Sequence, residues 1–349
     1  MKREAGFSLI ELLISMVIMG FVLAATSDMF VGLLGSYRQQ SKITETNIEG
    51  IISLEMLRRD IESAGYGLPW TMSTPYTGEA VNADAAVYND YPTSSPPRAI
   101  LSGLDADGRA YLVIKAMNLA RNAACTKWAY LPTSGVLPPL WSSSTSTSEN
   151  LQDTDQVVLI SPGSPTTASR ALVDSGSFST IKTEYSPDQT RIIYGVDDSD
   201  LRMPFNRADY YVNTGITKPG RCAPGTGVLV KSTINQNGGG LNPVPLLDCV
   251  ADMQVVTYLD TDNDGKADTP SKGLWAADAQ TIRNQLKEVH VYILAHEGQR
   301  DASYTYSPGT IRVGESSTLG RDFNLTTIPN WQNYRWKIYT LVVRPNNLR

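Results

Sequence analysis

Four aspartates stand close together in one short stretch of the chain, at positions that could bind a metal ion. In residues 260–268, Asp-Thr-Asp-Asn-Asp-Gly-Lys-Ala-Asp, carboxylates occupy positions one, three, five and nine, and glycine occupies position six. An EF-hand-type loop winds around Ca²⁺ with this spacing, and Gly265 permits the sharp turn after the third ligand. The spacing therefore predicts a structural calcium site. The predicted ligands are Asp260, Asp262, Asp264, the backbone carbonyl of Lys266, and Asp268.

The loop departs from the full calcium pattern at position twelve. That position is Ser271 rather than a bidentate glutamate, so one or two ligands must come from water or from elsewhere in the chain. Residues 255–259, which precede the loop, have the composition of a strand, and a helix–loop–helix sensor is not expected. The alternative interpretation is a solvated Asn-Asp-Gly turn that closes a β-hairpin without any metal.

No group of residues in the sequence indicates catalysis. His290 and His296 are the two histidines, and on an ideal strand they would lie about 20 Å apart, too far to share a metal ion. The chain has no Gly-x-Ser-x-Gly elbow, no P-loop and no Cys-x-x-Cys pair. Its formal net charge of −5 is not the electrostatic footprint of a nucleic-acid-binding protein. We expect neither an enzyme nor a protein that binds nucleic acid.

The N-terminus combines a basic start, a long apolar segment and one carboxylate. Lys2 and Arg3 precede Gly6. Between Phe7 and Ser27 the one charged side chain is Glu11, which lies near the start of this segment. A helix of this length spans roughly 30 Å at about 1.5 Å per residue, which matches the hydrocarbon core of a bilayer. A carboxylate there is unfavourable unless it meets a cationic or hydrogen-bonding partner, so Glu11 requires one.

The stretch Gly6-Phe7-Ser8-Leu9-Ile10-Glu11 resembles the processing site of type IV prepilins and type II secretion pseudopilins. In that family a membrane peptidase cuts after the glycine and methylates the new N-terminal amine. The resemblance implies that prepilin peptidase cleaves between Gly6 and Phe7 and removes residues 1–6 as a leader. It also implies that Glu11 acts in assembly, where its carboxylate neutralises the N-terminal ammonium of a neighbouring subunit.

Three other interpretations of this N-terminus remain. A secretory signal peptide also has a basic start and an apolar stretch, and Val22-Leu23-Ala24 fits its cleavage site. The charge of Glu11 and the length of the apolar stretch count against a signal peptide. The second alternative is a plain membrane anchor, and the third is a chance match of a short motif.

The apolar segment is expected to continue as one long helix. No proline occurs between Phe7 and Pro69, and Gly65 begins a stop signal that ends in that proline. We predict a stem helix over residues 7–64, with a transmembrane half over 7–34 and an amphipathic second half. The residues predicted to form the apolar face of the second half are Ile48, Ile51, Ile52, Met56, Leu57 and Ile61.

The basic leader predicts the orientation of the chain in a membrane. Lys2 and Arg3 should remain in the cytoplasm, which places the rest of the chain on the other side. With the prepilin resemblance, this implies a single-pass inner-membrane protein with its head in the periplasm before assembly. After assembly the resemblance implies an extracellular pilus fibre.

The three cysteines cannot all pair within one chain. The periplasm is a compartment where disulfides form, and we favour a bond between Cys222 and Cys249. Both residues border predicted strands in one contiguous block of sequence. Cys125 is then expected to be a buried thiol. The alternatives are that Cys125 takes one of these partners, or that none of the three is paired.

Residues 65–349 have the composition of a globular, β-rich head. The chain contains 17 tyrosines and many valines, isoleucines and threonines, which favour strands. Irregular insertions are predicted around residues 66–103 and 131–150, where proline and then serine and threonine are frequent. Many short strands with hairpin-length connections predict an α+β fold, in which the stem helix packs on a mainly antiparallel β-sheet, as in type IV pilins.

Several stretches resemble the PilW-like minor pilins of type IV pili. They are residues 56–67, 221–230, 245–255 and 334–344, whereas residues 68–220 resemble no family. The resemblance implies a minor pilin that is built into the fibre near its tip and helps to prime assembly. Its partners would be other minor pilins and the major pilin. The alternative is a large minor pseudopilin of a type II secretion system, GspJ-like, because both systems use the same processing site.

Overall fold

A computed structural model describes most of the chain, in segments separated by short gaps. The described residues are 8–72, 75–76, 78–90, 95–120, 122–131, 150–152, 155–163, 170–173, 180–181, 190–196 and 201–348. The predicted cleavage site between Gly6 and Phe7 lies outside them, as do residues 132–149 of the second predicted insertion.

One helix, α1, runs from Leu9 to Ser63. It begins at Ser8, whose backbone N–H donates to Glu11 Oε2 at 2.9 Å, so Glu11 caps the first turn. It ends where Gly65 takes a positive φ of 82°, a backbone conformation that glycine adopts without strain. The predicted long N-terminal helix is confirmed. Among the described helices, α1 alone is long and apolar enough to cross a membrane.

The rest of the described chain is mainly strands, with two short helices, α2 (Ala83–Ala86) and α3 (Ala279–Gln285). In chain order the strands are β1 (Ile100–Leu104), β2 (Ala110–Ala116), β3 (Trp128–Leu131), β4 (Gln156–Ser161), β5 (Ala171–Leu172), β6 (Thr180–Ile181), β7 (Arg191–Gly195), β8 (Asn206–Asn213), β9 (Gly227–Ile234), β10 (Leu241–Leu259), β11 (Thr269–Ser271), β12 (Leu286–Glu297), β13 (Thr310–Gly314), β14 (Gly320–Asn324) and β15 (Arg335–Val343). Helix α2 lies inside the first predicted insertion and strand β1 begins inside it, so this insertion is only partly irregular.

The main sheet is antiparallel throughout its described strands. Its order is β1-β2-β8-β9-β10-β12-β15, and β11 pairs with β10. A smaller antiparallel sheet has the order β3-β7-β4-β5 with β6 on β4, and β13 and β14 form a separate hairpin. A long helix followed by an antiparallel head is the α+β class that the sequence predicts, and that class is confirmed.

The face of α1 that packs on the head differs from the predicted apolar face. Leu57 and Ile61 are 0% exposed, as predicted. The prediction was wrong for the other four apolar residues, which point away from the head. Their exposed fractions are 53% for Ile48, 68% for Ile51, 58% for Ile52 and 39% for Met56.

Small and polar residues take the place of those apolar side chains against the head. The buried positions before Leu57 are Thr46, Gly50 and Ser53. A Cβ at Gly50 would lie only 3.0 Å from the ring of Tyr339 on β15, so glycine lets the helix approach the sheet closely. The hydroxyl of Thr46 accepts the backbone N–H of Gly298 at 3.1 Å. Both sets of residues recur at helical spacing, and steric fit to the sheet selects the smaller one.

Candidate functional site

Glu11 lies in the first turn of α1, on a part of the helix that is exposed throughout. Its carboxylate accepts the Ser8 N–H and makes no salt bridge with any described residue. The large apolar side chains of the same half are also exposed, from Leu9 at 80% to Leu34 at 40%. This half of the helix therefore presents an apolar surface, which favours burial in lipid or protein, and two carboxylates, Glu11 and Asp28. In lipid each carboxylate would need a cationic or hydrogen-bonding partner.

The predicted calcium loop closes the hairpin between β10 and β11. One carboxylate oxygen from each of Asp260, Asp262 and Asp264 lies within 4.8 Å of the others, the spacing of a group that could hold a metal ion. Asp268 does not join this group, and its Oδ1 accepts the hydroxyl of Thr269 at 3.1 Å. The structure brings together three of the four predicted carboxylates.

Hydrogen bonds within the loop hold its acidic side chains in place. Asp260 is buried, and its two carboxylate oxygens accept the backbone N–H groups of Asp264 and Gly265, each at 3.0 Å. The side chain of Lys266 donates to Asp264 Oδ2 at 2.6 Å, and this contact lowers the pKa of Asp264. Lys287 Nζ lies 3.6 Å from Asp260 Oδ2. This geometry is compatible with a calcium loop and also with a metal-free Asx-type turn.

Cys222 and Cys249 form a disulfide with a Cα–Cα distance of 4.8 Å. It joins the loop before β9 to a bulge in β10, where Cys249 takes a positive φ of 59°. This is the pair that the sequence analysis favoured. Cys125 is buried and is not part of the disulfide; Asn206 Nδ2 lies 3.6 Å from its sulfur.

The two histidines both lie on β12, His290 within the strand and His296 near its end, and their surroundings differ. His296 is buried, and its Nε2 accepts the backbone N–H of Ala223, next to the disulfide, at 2.9 Å. Burial lowers the pKa of His296 to about 4, so the ring is neutral at pH 7. His290 lies between two carboxylates, with Nδ1 2.8 Å from Glu315 and Nε2 3.0 Å from Glu288.

Comparison with known families adds one direct finding at the N-terminus. Residues 1–27 match the prokaryotic N-terminal methylation motif. This chain therefore carries a type IV prepilin-like methylation motif that includes the first part of the exposed half of α1. Glu11 lies within the matched residues.

The other comparisons do not identify a family for this chain. A solved structure, the type IV-like pilin TTHA1219 from Thermus thermophilus, is similar at 13% sequence identity with a TM-score of 0.36. The similarity covers 86% of this chain and 97% of that chain. A comparison with curated proteins gives no match.

The head also contains a buried ionic network that sequence reasoning missed. Lys115 on β2 donates to Glu79 Oε1 at 2.8 Å and to Asp90 Oδ2 at 2.7 Å. Arg207 on β8 donates to the two carboxylate oxygens of Asp209 at 2.7 and 2.8 Å, and to Glu79 Oε2 at 2.8 Å. Four of these five side chains are 0% exposed, so the network excludes water.

The network fastens the segment around α2 to the face of the sheet opposite the stem. Arg98 completes it by donating to Asp90 Oδ1 at 2.6 Å, which gives three acids and three bases. Burial tends to raise the pKa of Asp90, but Lys115 and Arg98 outweigh that effect and the pKa is lowered. Polar neighbours including Tyr76 and Asn89 donate to or accept from the same groups. The network is satisfied and matched in charge, as a buried cluster must be.

Proposed function

We propose that this chain is a PilW-like minor pilin, built into a type IV pilus near the tip, where it helps to prime fibre assembly. The observation that carries the proposal is the methylation motif at residues 1–27, continuous with the exposed apolar helix. A motif and a helix of this kind favour a structural subunit rather than an enzyme. The cysteine pair and the stretch around Cys222 favour the pilus over the secretion system.

The apolar surface of α1 is too long for a membrane alone to cover. A bilayer core of about 30 Å covers about 20 helical residues, roughly as far as Met29 if it begins at Leu9. Ile48 lies about 21 Å further along the axis than Leu34, and Ile51, Ile52 and Met56 follow it. Exposed apolar side chains beyond the reach of the bilayer support contact with helices of other subunits.

In this proposal prepilin peptidase cuts between Gly6 and Phe7 and methylates the new terminus. The chain then sits in the inner membrane with its head in the periplasm, where the Cys222–Cys249 disulfide can form. On extraction into the fibre, Glu11 neutralises the N-terminal ammonium of a neighbouring subunit. Its partners there are the major pilin and other minor pilins.

Deleting the gene should strongly reduce the number of surface pili, and the wild-type chain should restore it. A Glu11→Ala chain should be processed but fail to restore piliation, because the partner ammonium loses its counter-charge. Mass spectrometry of the protein in sheared fibres should find a methylated N-terminus at Phe7. An intact Met1, cleavage near Ala25, or normal piliation in the deletion strain would contradict the proposal. Loss of protein secretion with normal pili would indicate the pseudopilin instead.

A stem variant separates assembly from folding in the same strain. Replacing Ile48, Ile51, Ile52 and Met56 together with serine should leave head stability unchanged, since all four point away from the head. Incorporation into fibres should fall. A matched control, Glu55→Ser with Arg59→Ser, changes exposed polar positions on the same helix turns and should assemble normally. If the apolar-to-serine variant also assembles normally, that face is not a subunit contact.

We also propose that the 260–268 loop binds calcium in a structural role. Asp260, Asp262 and Asp264 converge within 4.8 Å, and the Lys266 carbonyl and water would supply further ligands. Each carboxylate oxygen that accepts a backbone N–H retains a second lone pair for a cation. Millimolar calcium outside the cell suffices for weak loops of this kind.

Calcium should raise the thermal unfolding midpoint of the purified full-length protein, and a chelator should reverse the change. Binding to the native state alone stabilises it by about 2.7 kcal/mol when calcium is at 100 times its dissociation constant. Asp262→Ala combined with Asp264→Ala should remove the calcium response. The control is Asp105→Ala with Asp107→Ala, in a turn that has two carboxylates, which should respond as the wild type does. If calcium changes the unfolding midpoint of neither the wild type nor the variant with Asp262→Ala and Asp264→Ala, the loop is only a turn.

A further inference from the structure

The head contains a cavity of about 470 Å³ next to the buried ionic network. Helix α2, the turn between β1 and β2, and the end of β8 surround it. A volume of this size is within the range of small-molecule sites. Residues from these elements that line it include Asn82, Asp84, Tyr88, Arg109, Tyr211 and Asn213.

Three tyrosines form a parallel stack along one wall of the cavity. The rings of Tyr88 and Tyr111 are 4.6 Å apart and nearly parallel at 6°, and those of Tyr111 and Tyr211 are 5.1 Å apart at 10°. Tyr88 and Tyr111 are almost fully buried, and the Tyr111 hydroxyl donates to Asp209 Oδ2 at 2.7 Å. The rings of Tyr88 and Trp275 make an edge-to-face contact at a centroid distance of 5.4 Å. These contacts fix the half-buried Tyr211 ring in the orientation it presents to the cavity.

Polar groups of both kinds also line the cavity. Arg109 is mostly buried, its guanidinium bonds Asp107, and its Nε donates to the Ala251 carbonyl at 3.3 Å. Asp105 Oδ1 accepts the backbone N–H groups of Asp107 and Arg109 at 2.9 and 2.8 Å. Asp84 and Asn213 add a carboxylate and an amide to the lining. The cavity therefore offers fixed hydrogen-bond donors and acceptors beside an aromatic surface.

Large apolar side chains stand exposed at the mouth of the cavity. Val87 is 56% exposed and Leu104 is 48% exposed, although both contribute to the lining. These two side chains add apolar surface beside the polar lining. Three aspartates against one arginine leave the lining negative, which disfavours an anionic ligand.

We propose that this cavity binds a neutral saccharide, with its ring against Tyr211 and its hydroxyls bonded by Asp84, Arg109 and Asn213. A sugar ring has an apolar C–H face and an edge of hydroxyl groups that both donate and accept. That pattern matches a lining in which an aromatic ring lies beside mixed hydrogen-bond donors and acceptors. This proposal is independent of the role of the chain in a fibre.

The test is calorimetric titration of the full-length protein in a detergent without a sugar headgroup. The probes are glucose, galactose, N-acetylglucosamine, maltose and lactose, at concentrations up to tens of millimolar. At least one should bind saturably, and Tyr211→Ala should weaken it by about tenfold or more, or 1.4 kcal/mol. Tyr211→Phe keeps the ring, and its affinity for the sugar should be within about threefold of that of the wild type. Retained binding in this variant would show that the loss in Tyr211→Ala comes from the missing ring and not from misfolding. The control Tyr130→Ala, at an exposed tyrosine outside the cavity, should not change binding.

The alternative, that the cavity binds a cation, is tested with spermidine in the same experiment. Asp84→Asn keeps a hydrogen-bonding side chain and should retain saccharide binding, whereas a site for a cation would lose its affinity. The proposal is overturned if none of the sugars saturates. It is equally overturned if Tyr211→Ala binds sugar as the wild type does, or if spermidine alone binds and Asp84→Asn abolishes that binding.

Discussion

Replacing Arg207 with methionine is expected to destabilise the head by about 3–5 kcal/mol, the usual cost of removing one partner from a buried ion pair. Arg207 is 0% exposed and donates to Asp209, Glu79, Asn89 and the carbonyl of Ala85. Methionine fills a similar volume but donates no hydrogen bond. It therefore leaves two buried carboxylates short of a counter-charge, and they keep their desolvation cost.

Chemical denaturation of the full-length protein in detergent measures this effect. The matched control is Arg312→Met, because Arg312 forms its ion pair with Asp322 on the exposed hairpin of β13 and β14. An exposed pair is screened by water, and this variant should unfold at nearly the same denaturant concentration as wild type. If the two variants unfold together, the network does not hold the α2 segment on the sheet.

Loss of the Cys222–Cys249 disulfide is expected to destabilise the head by about 3.5 kcal/mol. The two cysteines are 27 positions apart, and closing a loop of that length restricts the unfolded chain by about this free energy on the chain-entropy model. The bond also ties the loop before β9 to the bulged part of β10. Cys222→Ser combined with Cys249→Ser should therefore lower the midpoint of chemical unfolding.

A reducing agent provides the control for the disulfide prediction. It should lower the midpoint of the wild type and leave the double serine variant unchanged. Cys125→Ala should respond to reductant as the wild type does, because Cys125 lies outside the bond. An unchanged midpoint in reduced wild-type protein would show that the bond contributes little to stability.

The sequence alone determined the features that depend on local chemistry. A proline-free run after Ser8 predicts one helix, because nothing in it removes a backbone donor, and the helix extends to Ser63. Short strands rich in tyrosine and valine predict an antiparallel head, since those side chains suit a pleated, half-buried surface. The aspartate spacing at residues 260–268 places three carboxylates together because a tight loop turns alternate side chains the same way.

Tertiary structure decided which face of the stem meets the head. The period of the helix places Ile48 and Ile52 on one side and Thr46 and Gly50 on another, and both sets are regular. The choice depends on the shape of the sheet, where the Tyr339 ring would lie only 3.0 Å from a Cβ at position 50. A rule that places apolar residues inside does not contain that information.

Tertiary structure also decided the buried ionic network and the tyrosine stack. Lys115 is 36 positions from Glu79, and Arg207 is 128 positions from the same carboxylate. From the sequence alone, each of these charged side chains is expected to be solvated. Burying one of them is tolerated only when a side chain of opposite charge is buried beside it. That coincidence is set by strand order, which pairs β2 with β8 across a gap of about ninety residues and brings Tyr111 beside Tyr211. Long-range pairing of this kind has no local signal in the chain.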